Sequence, residues 1–465
     1  MGTPEAMHTY LAEQGIKIPL DTELETAPDG PLASSIQIGP RLSAENRFAI
    51  LPMEGWDGTT DGKPTPDLRR RWLRLGASGA SLVWCEATSV VPEGRANPNQ
   101  LIINDETAES LGDLRSEMVA ARAREFDRGH LIAGLQLTHS GRWSRPLGEP
   151  MPRIAYRHPQ LDERVPVTDE SVFSDDELDD LVGKYVEAGI LAADAGFDFV
   201  DIKHCHGYLL HELLSARTRS GRYGGSFEGR TRVLRSVVEG LKSARPNLMI
   251  GVRLSAVDPG PFVEGSDGVG FPADLTAPFM FGPDDEGNPL GEAHEFLDLC
   301  VELGVSLACV TVGSPYYNPH VTRPAYHPAL DGYLPPRDPL AEVAYHLDTT
   351  AALTKAHPEL VLVGSGYSYL QELVPYAAQY RVRKGDVGMV GLGRMALSYP
   401  TMPADILGGA EFDSRLICRT FSDCTTGPRL GLASGCYPLD EHYKKSPARV
   451  EIAAAKKAKK VKISE

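Results

Sequence analysis

Between Phe48 and Gly391 the chain alternates short apolar runs with longer amphipathic stretches. The runs are FAILPM (48–53), ASLVWCEA (80–87), LIAGLQL (131–137), FDFVDIK (197–203), LMIGVRLS (248–255), SLACVTVG (306–313), LVLVGS (360–365) and DVGMVG (386–391). Each is rich in β-branched or bulky residues with little internal polarity, as in strands covered on both faces. Between them, residues 107–127, 175–195, 227–243, 292–303 and 338–356 place apolar residues at three- and four-residue spacing, which predicts helices. Residues 66–75 and 368–380 are shorter candidates. Eight strands with intervening helices predict an α/β fold, a (β/α)8 TIM barrel. A doubly wound open sheet is the rival, and it needs a reversal of strand order that a sequence does not display.

Five connections are too long for a bare barrel: 88–106, 138–174, 203–226, 256–291 and 313–337. All follow strands, and so lie on the C-terminal face where barrel sites form. The 256–291 insertion is rich in Gly, Pro and Asp and reads as a lid, a subunit contact or a plain surface loop. The pattern divides the chain into a polar lead-in (1–45), a barrel (46–405) and a C-terminal extension (406–465).

Composition narrows the function classes. With 42 % hydrophobic residues over 465 positions, there is ample material for a core, and disorder over most of the length is excluded. The net charge of −16 disfavours broad binding to nucleic acid. The one basic run, Lys456, Lys457, Lys459, Lys460 and Lys462, reads as a solvated helix face. No run reaches the roughly 20 apolar residues of a membrane span. The N-terminus lacks the basic and apolar blocks of a secretory signal. Seven cysteines do not form a disulfide framework, so a reducing cytoplasm is expected.

The barrel prediction selects the polar residues at strand C-terminal ends. Gln136 ends the third strand, with His139 and Arg142 following; its amide suits a heterocycle with paired N–H and C=O groups. The fourth ends in Asp201, Lys203, His204, Cys205, His206, Gly207 and Tyr208. Lys and His donate to an oxygen gaining negative charge, and Tyr can give up a proton. Zinc at His204, Cys205 and His206 is disfavoured because neighbouring side chains of an extended chain point apart. Lys203 also suits a Schiff base. Arg253 ends the fifth strand and calls for an anionic partner. Gly364, Ser365 and Gly366 after the seventh strand, with Gly391, Gly393 and Arg394 after the eighth, form the expected phosphate site of a barrel. A phosphate-bearing ligand with a cation at its other end and a proton donor nearby fits flavin mononucleotide (FMN).

The segments IQIGPRLSAENRFAILPMEG, GLQLTHSGRW, GFDFVDIKHCHGYLLHELLSARTRSGRYGGSFEGRTR, IGVRLS and VGMVGLGRMALSYP resemble, in order, the Old Yellow Enzyme family of FMN-dependent NAD(P)H oxidoreductases. The resemblance spans about residues 36–400. It implies a (β/α)8 barrel, FMN, NADH or NADPH as reductant, a small-molecule substrate and a homo-oligomer. By position it implies that Pro52, Met53 and Glu54 lie along the flavin and that Ala87 is the small residue after the second strand. Gln136 matches the glutamine on the pyrimidine ring and Arg253 the arginine at the flavin N1/O2 edge. Gly366, Gly393 and Arg394 match the phosphate segments, with Ser365 beside them. His206 matches the second residue of the substrate-gripping pair, and Tyr208 the proton donor.

Two positions depart from the family. Lys203 replaces the usual first histidine of the pair, which favours a carboxylate or phenolate ligand over the usual enone. Glu54 stands where many members carry Thr or Cys, and a carboxylate there disfavours negative charge on a reduced flavin. The four cysteines that bind a 4Fe–4S cluster in larger relatives reduce here to Cys418, Cys424 and Cys436, so no cluster is expected. Trp56, Tyr316, Tyr317 and His204, with His139, are expected at the substrate pocket. The expected activity is hydride transfer between NAD(P)H, flavin and an unsaturated or carbonyl-bearing substrate. The alternatives are an oxidative flavin-dependent dehydrogenase or demethylase, and a flavin-free lyase using Lys203.

Overall fold

Each of the eight apolar runs forms a parallel strand in the computed structural model, which describes residues 2–126, 129–273 and 280–464, the side chains of 460–464 excepted. The strands are β1 (Phe48–Ile50), β2 (Leu82–Ser89), β3 (Ile132–Thr138), β4 (Phe199–His204), β5 (Met249–Ser255), β6 (Leu307–Thr311), β7 (Val361–Gly364) and β8 (Met389–Leu392). They close into a barrel in sequential order, β8 pairing with β1. Closure excludes the open sheet, and the predicted (β/α)8 architecture stands.

The outer helices are α1 (Pro66–Gly76), α2 (Ala108–Glu125), α3 (Asp175–Asp194), α4 (Arg232–Ala244), α5 (Gly291–Glu302), α6 (Pro339–Ala356) and α7 (Val374–Arg383). Their starts are written locally. Ser174 caps α3 in a reciprocal pair with Glu177, and Thr65 accepts from the Leu68 amide above Pro66, so donors that the first turn leaves open are satisfied. The predicted 368–380 helix is displaced: Tyr367–Leu373 is a 3-10 segment with a kink at Gln371, and α7 runs on to Arg383. Of the predicted 107–127 helix, Asp127 lies outside the described residues.

Alternation along the strands sorts the side chains into two cores. Phe199, Trp84, Leu82, Ile132, Leu307 and Met389 fill the barrel interior. Val200, Ile202, Val252 and Leu254 join helix residues such as Leu181, Val237 and Phe296 in the outer layer. Phe199 meets Trp84 edge-on at 5.0 Å. It fits only because β3 carries Gly134 opposite; a Cβ there would sit 2.0 Å from the ring. A hairpin of Ile36–Ile38 and Leu42–Ala44, absent from the sequence reading, adds Ile38 and Ala44 to this interior core.

The other end stays open. The lead-in packs onto the barrel through Met7 and Leu11, and Tyr10 donates to Asp338 at 2.5 Å. The C-terminal extension docks across α1, where Arg70 and Arg74 grip Asp440 at 2.7 and 2.5 Å. The Ser434 amide donates to the Gly55 carbonyl at 2.6 Å. In its last helix (Ala448–Ser464) Lys457 is exposed, as the solvated-face reading expects, while Lys456 and Lys459 depart from that reading. Lys456 pairs with Asp423 at 2.5 Å and Lys459 donates to the Leu330 carbonyl at 2.8 Å, because free carbonyls and a carboxylate lie within reach. The side chains of Lys460 and Lys462 lie outside the described residues. Part of the 256–291 insertion forms a rim hairpin, Phe262–Glu264 with Gly270–Pro272; residues 274–279 lie outside the described residues. Among the described residues, no helix is long and apolar enough to cross a membrane.

Candidate active site

The open end of the barrel holds a cavity, about 1190 Å³ of space when the open solvent at its mouth is included. It brings together Pro52, Met53, Glu54, Trp56, Ala87, Gln136, Lys203, His206, Tyr208, Arg253, Tyr316, Ser365, Gly366, Gly393 and Arg394. Residues from all eight strand ends or the loops beyond them therefore converge, the strand residues among them on the inward face that two-residue alternation dictates. On β4, Phe199, Asp201 and Lys203 share the interior face, stacked from core to cavity, and Lys203 sits in register with Arg253.

Three expected pocket residues lie elsewhere, two because of the same alternation and Tyr317 because of its turn. His204 follows Lys203 and points outward, its ring 5.2 Å from Phe296 on α5. His139 follows inward-facing Thr138 and packs edge-on against Phe173 at 5.4 Å. Tyr317 turns below the rim and donates to Asp258 at 2.5 Å. None of the three lines the cavity. The neighbour of each does face inward, so the error is one of register within a loop or strand end.

A bulge between Cys85 and Ala87 in β2 sends Glu86 outward while Ala87 returns to the cavity. Glu86 accepts from Arg71 at 2.7 Å, Trp72 at 2.9 Å and the Gly55 amide at 2.8 Å. Arg71 also pairs with Asp57. This buried cluster holds the Pro52–Trp56 loop against the barrel.

Asp201 was not among the predicted site residues, although it sets the one beside it. Its Oδ2 accepts from Trp84 at 2.9 Å and from Gln136 Nε2 at 2.5 Å. That fixes the Gln136 amide with its carbonyl oxygen free of any partner among the described residues. Burial pushes the Asp201 carboxyl up to about 6 against the pull of Gln136 and Arg253, and its Oδ1 has no partner among the described residues. Arg253 Nε is likewise buried and unpartnered among the described residues.

Lys203 is buried, and its ammonium lies 3.7 Å from the centre of the Tyr208 ring. Removal from water lowers its pKa, while Glu54 acts to raise it. Glu54 accepts from Asn97 at 2.7 Å and Gln100 at 3.3 Å. Desolvation lifts it to about 7 against the stabilising charge of Lys203. A carboxyl raised in the folded state contributes stability at low pH that is lost as pH rises toward 7. Glu54→Gln is therefore expected to melt progressively higher relative to the parent chain between pH 5 and pH 8; a constant difference in thermal midpoint across that range would show that Glu54 does not titrate there.

His206 adopts φ 68, its amide donating to Ser255 at 3.0 Å. Burial, then Arg253 and Lys203, hold its imidazole well below the usual range, so the ring is neutral and offers one N–H. The Tyr208 hydroxyl meets that of Tyr316 at 3.0 Å, and burial keeps it protonated, well above 10. Tyr316 stacks on Trp143 at 4.4 Å.

At the far end of the cavity, Gly366 turns at φ 93, where a side chain is strained and a Cβ would press His346 at 2.9 Å. The amides of Gly366 and Gly393 donate to no group among the described residues. Arg394 opens a short helix, Arg394–Ser398 (α8), and donates to the Pro324 carbonyl at 2.7 Å. Beside it stands Arg323, whose Nη1 donates to Thr425 at 2.5 Å and whose Nε is buried without a partner among the described residues. Burial, then Arg429 and Arg394, lower its pKa to about 10. Arg323 and Arg429, with Cys424, Thr425 and Ser434 of the extension, line the cavity and escaped the sequence reading. The only hint was the altered cysteine segment. Among the described residues, no three His, Cys, Asp or Glu side chains are placed to share a metal ion.

The model of the NADH:flavin oxidoreductase / NADH oxidase family matches residues 31–269, just over half of the chain. NADPH dehydrogenase of Bacillus subtilis (strain 168) is 31 % identical over 221 residues, 47 % of this chain and 61 % of that protein. The chain thus spans about three-fifths of the length of the curated relatives it matches. The old yellow enzyme homologue from Zymomonas mobilis superposes with a TM-score of 0.57 at 21 % identity, over 82 % of this chain and 93 % of that one. A 2-naphthoyl-CoA reductase solved with 2-naphthoyl-CoA gives 0.64 at 18 % identity, over 87 % of this chain and 56 % of that one. At such identities the two structures speak to the fold alone.

Proposed function

Because the chain belongs to the NADH:flavin oxidoreductase / NADH oxidase family, we propose that it is an FMN-dependent oxidoreductase using NADH or NADPH. The observation that carries this reading is a polar frame whose unpaired groups match FMN from end to end. The Gln136 carbonyl and Arg253 suit the pyrimidine end. The free amides of Gly366 and Gly393, with Arg394, suit the phosphate. Pro52, Met53 and Ala87 give an apolar wall between them.

When bound, FMN supplies a carrier that takes a hydride from NAD(P)H and passes it to an unsaturated or carbonyl-bearing acceptor. The chain's part is binding and proton control. Lys203 and the neutral His206 donate to the acceptor oxygen as negative charge develops there. Tyr208 keeps its proton across the working range and releases it to carbon. Arg253 offsets negative charge at the pyrimidine edge. The stack of Trp143 and Tyr316 fixes the Tyr208 hydroxyl and offers a flat face to a planar substrate.

A cytoplasmic location and a homo-oligomer belong to the same proposal. The seven cysteines are all unpaired thiols, which suits a reducing compartment. The assembly rests on the family resemblance and on the exposed Tyr326 and Phe421, which touch edge-on beside the mouth.

The phosphate assignment has its own test. Arg394→Ala is expected to weaken FMN binding about 10- to 100-fold, the scale of one lost charge-assisted contact, while riboflavin, which lacks the phosphate, binds as before. Quenching of flavin fluorescence reads both. Equal weakening of riboflavin would remove Arg394 from the phosphate site.

A further inference from the structure

The cavity wall carries five cationic side chains, Lys203, Arg253, Arg323, Arg394 and Arg429, against one carboxyl, Glu54. If FMN binds as proposed, Arg253 faces its pyrimidine edge, and Arg394 with adjacent Arg323 faces its phosphate. Lys203 and Arg429 are left over.

Both are poised for a ligand and not for each other's neighbours. Lys203 has no hydrogen-bond acceptor among the described residues; its ammonium rests on the Tyr208 ring. Arg429 lies 5.2 Å above the ring of Tyr316, the tyrosine that meets Tyr208. Its contact with Asp331 uses Nε. The terminal guanidinium nitrogens have no hydrogen-bond partner among the described residues. Asp331 is half exposed, at 51 %, so solvent weakens its hold on that charge. An anion between Lys203 and Arg429 would lie along the Tyr208–Tyr316 pair, where the acceptor is expected.

We propose that the substrate is a planar unsaturated acid, and that its carboxylate is bound by Arg429, delivered by the C-terminal extension, together with Lys203. This rests on the FMN reading for the location of the reacting carbon but not for the anion site, which is built from protein groups alone. A guanidinium presents paired donors that match a carboxylate, and an ammonium adds a point charge. The extension thereby becomes part of the specificity apparatus. It follows the last barrel strand in sequence, yet nothing in its hydrophobic pattern marks the arginine.

Calorimetric titration of the chain with trans-cinnamate and with methyl trans-cinnamate, each with and without FMN, tests this. The acid is expected to bind at least tenfold more tightly than the ester. Arg429→Gln is expected to abolish that preference, Arg429→Lys to restore part of it, and Asp331→Asn, which frees the guanidinium without removing it, to keep or raise it. Equal binding of acid and ester by the parent chain would overturn the proposal, as would a preference that survives in Arg429→Gln. If Arg429→Gln instead weakens NADPH and spares cinnamate, the anion is a nucleotide phosphate and the proposal fails. Absence of FMN uptake, read separately from the flavin absorbance, would sink the FMN reading; the acid–ester comparison without FMN would still decide the anion site.

Discussion

Replacing Tyr208 by phenylalanine is expected to slow transfer of electrons from the loaded, reduced protein to an alkene acceptor by about 10²–10⁴-fold, the range for loss of a positioned general acid. Reduction by NAD(P)H should change by no more than a few-fold, because no proton from Tyr208 is needed there. The asymmetry follows from geometry. Tyr208 is buried, its hydroxyl is held by Tyr316 at 3.0 Å, and its ring carries the Lys203 ammonium. Phenylalanine keeps the ring and its packing and removes only the proton. Stopped-flow absorbance separates the two half-reactions. Equal slowing of both would remove Tyr208 from the donor role and assign it to shaping the pocket.

The largest expected effect on stability lies outside the cavity wall, at Arg71. Arg71→Met should cost about 3–5 kcal/mol, as expected when one partner of a buried ion pair is removed. It would strand Glu86 and Asp57, whose side chains are only 4 % and 5 % exposed. Arg383→Met is the contrast. That guanidinium also pairs with two carboxylates, Asp21 and Glu25, but is 39 % exposed, so the loss should stay below about 1 kcal/mol. Urea midpoints at constant slope read both. Similar costs at the two positions would mean that burial does not set the strength of these clusters. Because Glu86 also receives the Gly55 amide, Arg71→Met should weaken FMN retention as well, through the Pro52–Trp56 loop.

Much of this architecture is legible in the residues. Every barrel strand begins within three residues of its apolar run, since a strand covered on both faces leaves a continuous apolar signal. The residues of the cavity floor are legible for the same reason: Gln136, Lys203 and Arg253 are polar interruptions at the ends of such runs. Three things were not. His204 and His139 were misplaced because adjacency in sequence does not say which face a strand-end residue takes; the inward positions of Lys203 and Thr138 decide it. The role of Asp201 was hidden because its meaning lies in two partners on neighbouring strands, Trp84 and Gln136. Arg429 and Thr425 were missed because the extension returns to the mouth through tertiary contacts such as Arg70–Asp440, which leave no periodic trace, and Arg323 because nothing in the 313–337 connection marks which of its side chains turns into the cavity.

Glu54 and Lys203 are where this chain diverges most from its family resemblance, and the structure puts both on one cavity wall. Each shifts the other: the lysine charge restrains the rise of the carboxyl, and the carboxyl restrains the fall of the ammonium. Substituting either alone leaves the remaining group with less reason to ionise. Lys203→His is thus most informative when paired with Glu54→Gln, and the two changes are expected to be non-additive.

The central claim is that the open end of the barrel holds FMN and exchanges electrons with a nicotinamide nucleotide. The visible absorption spectrum of the purified chain, supplied with FMN and then mixed anaerobically with NADH or NADPH, tests it most directly. A yellow protein that bleaches with one or both nucleotides is the expected result. A chain that stays colourless after exposure to FMN would contradict the claim outright, and a yellow protein that neither nucleotide bleaches would contradict its direction.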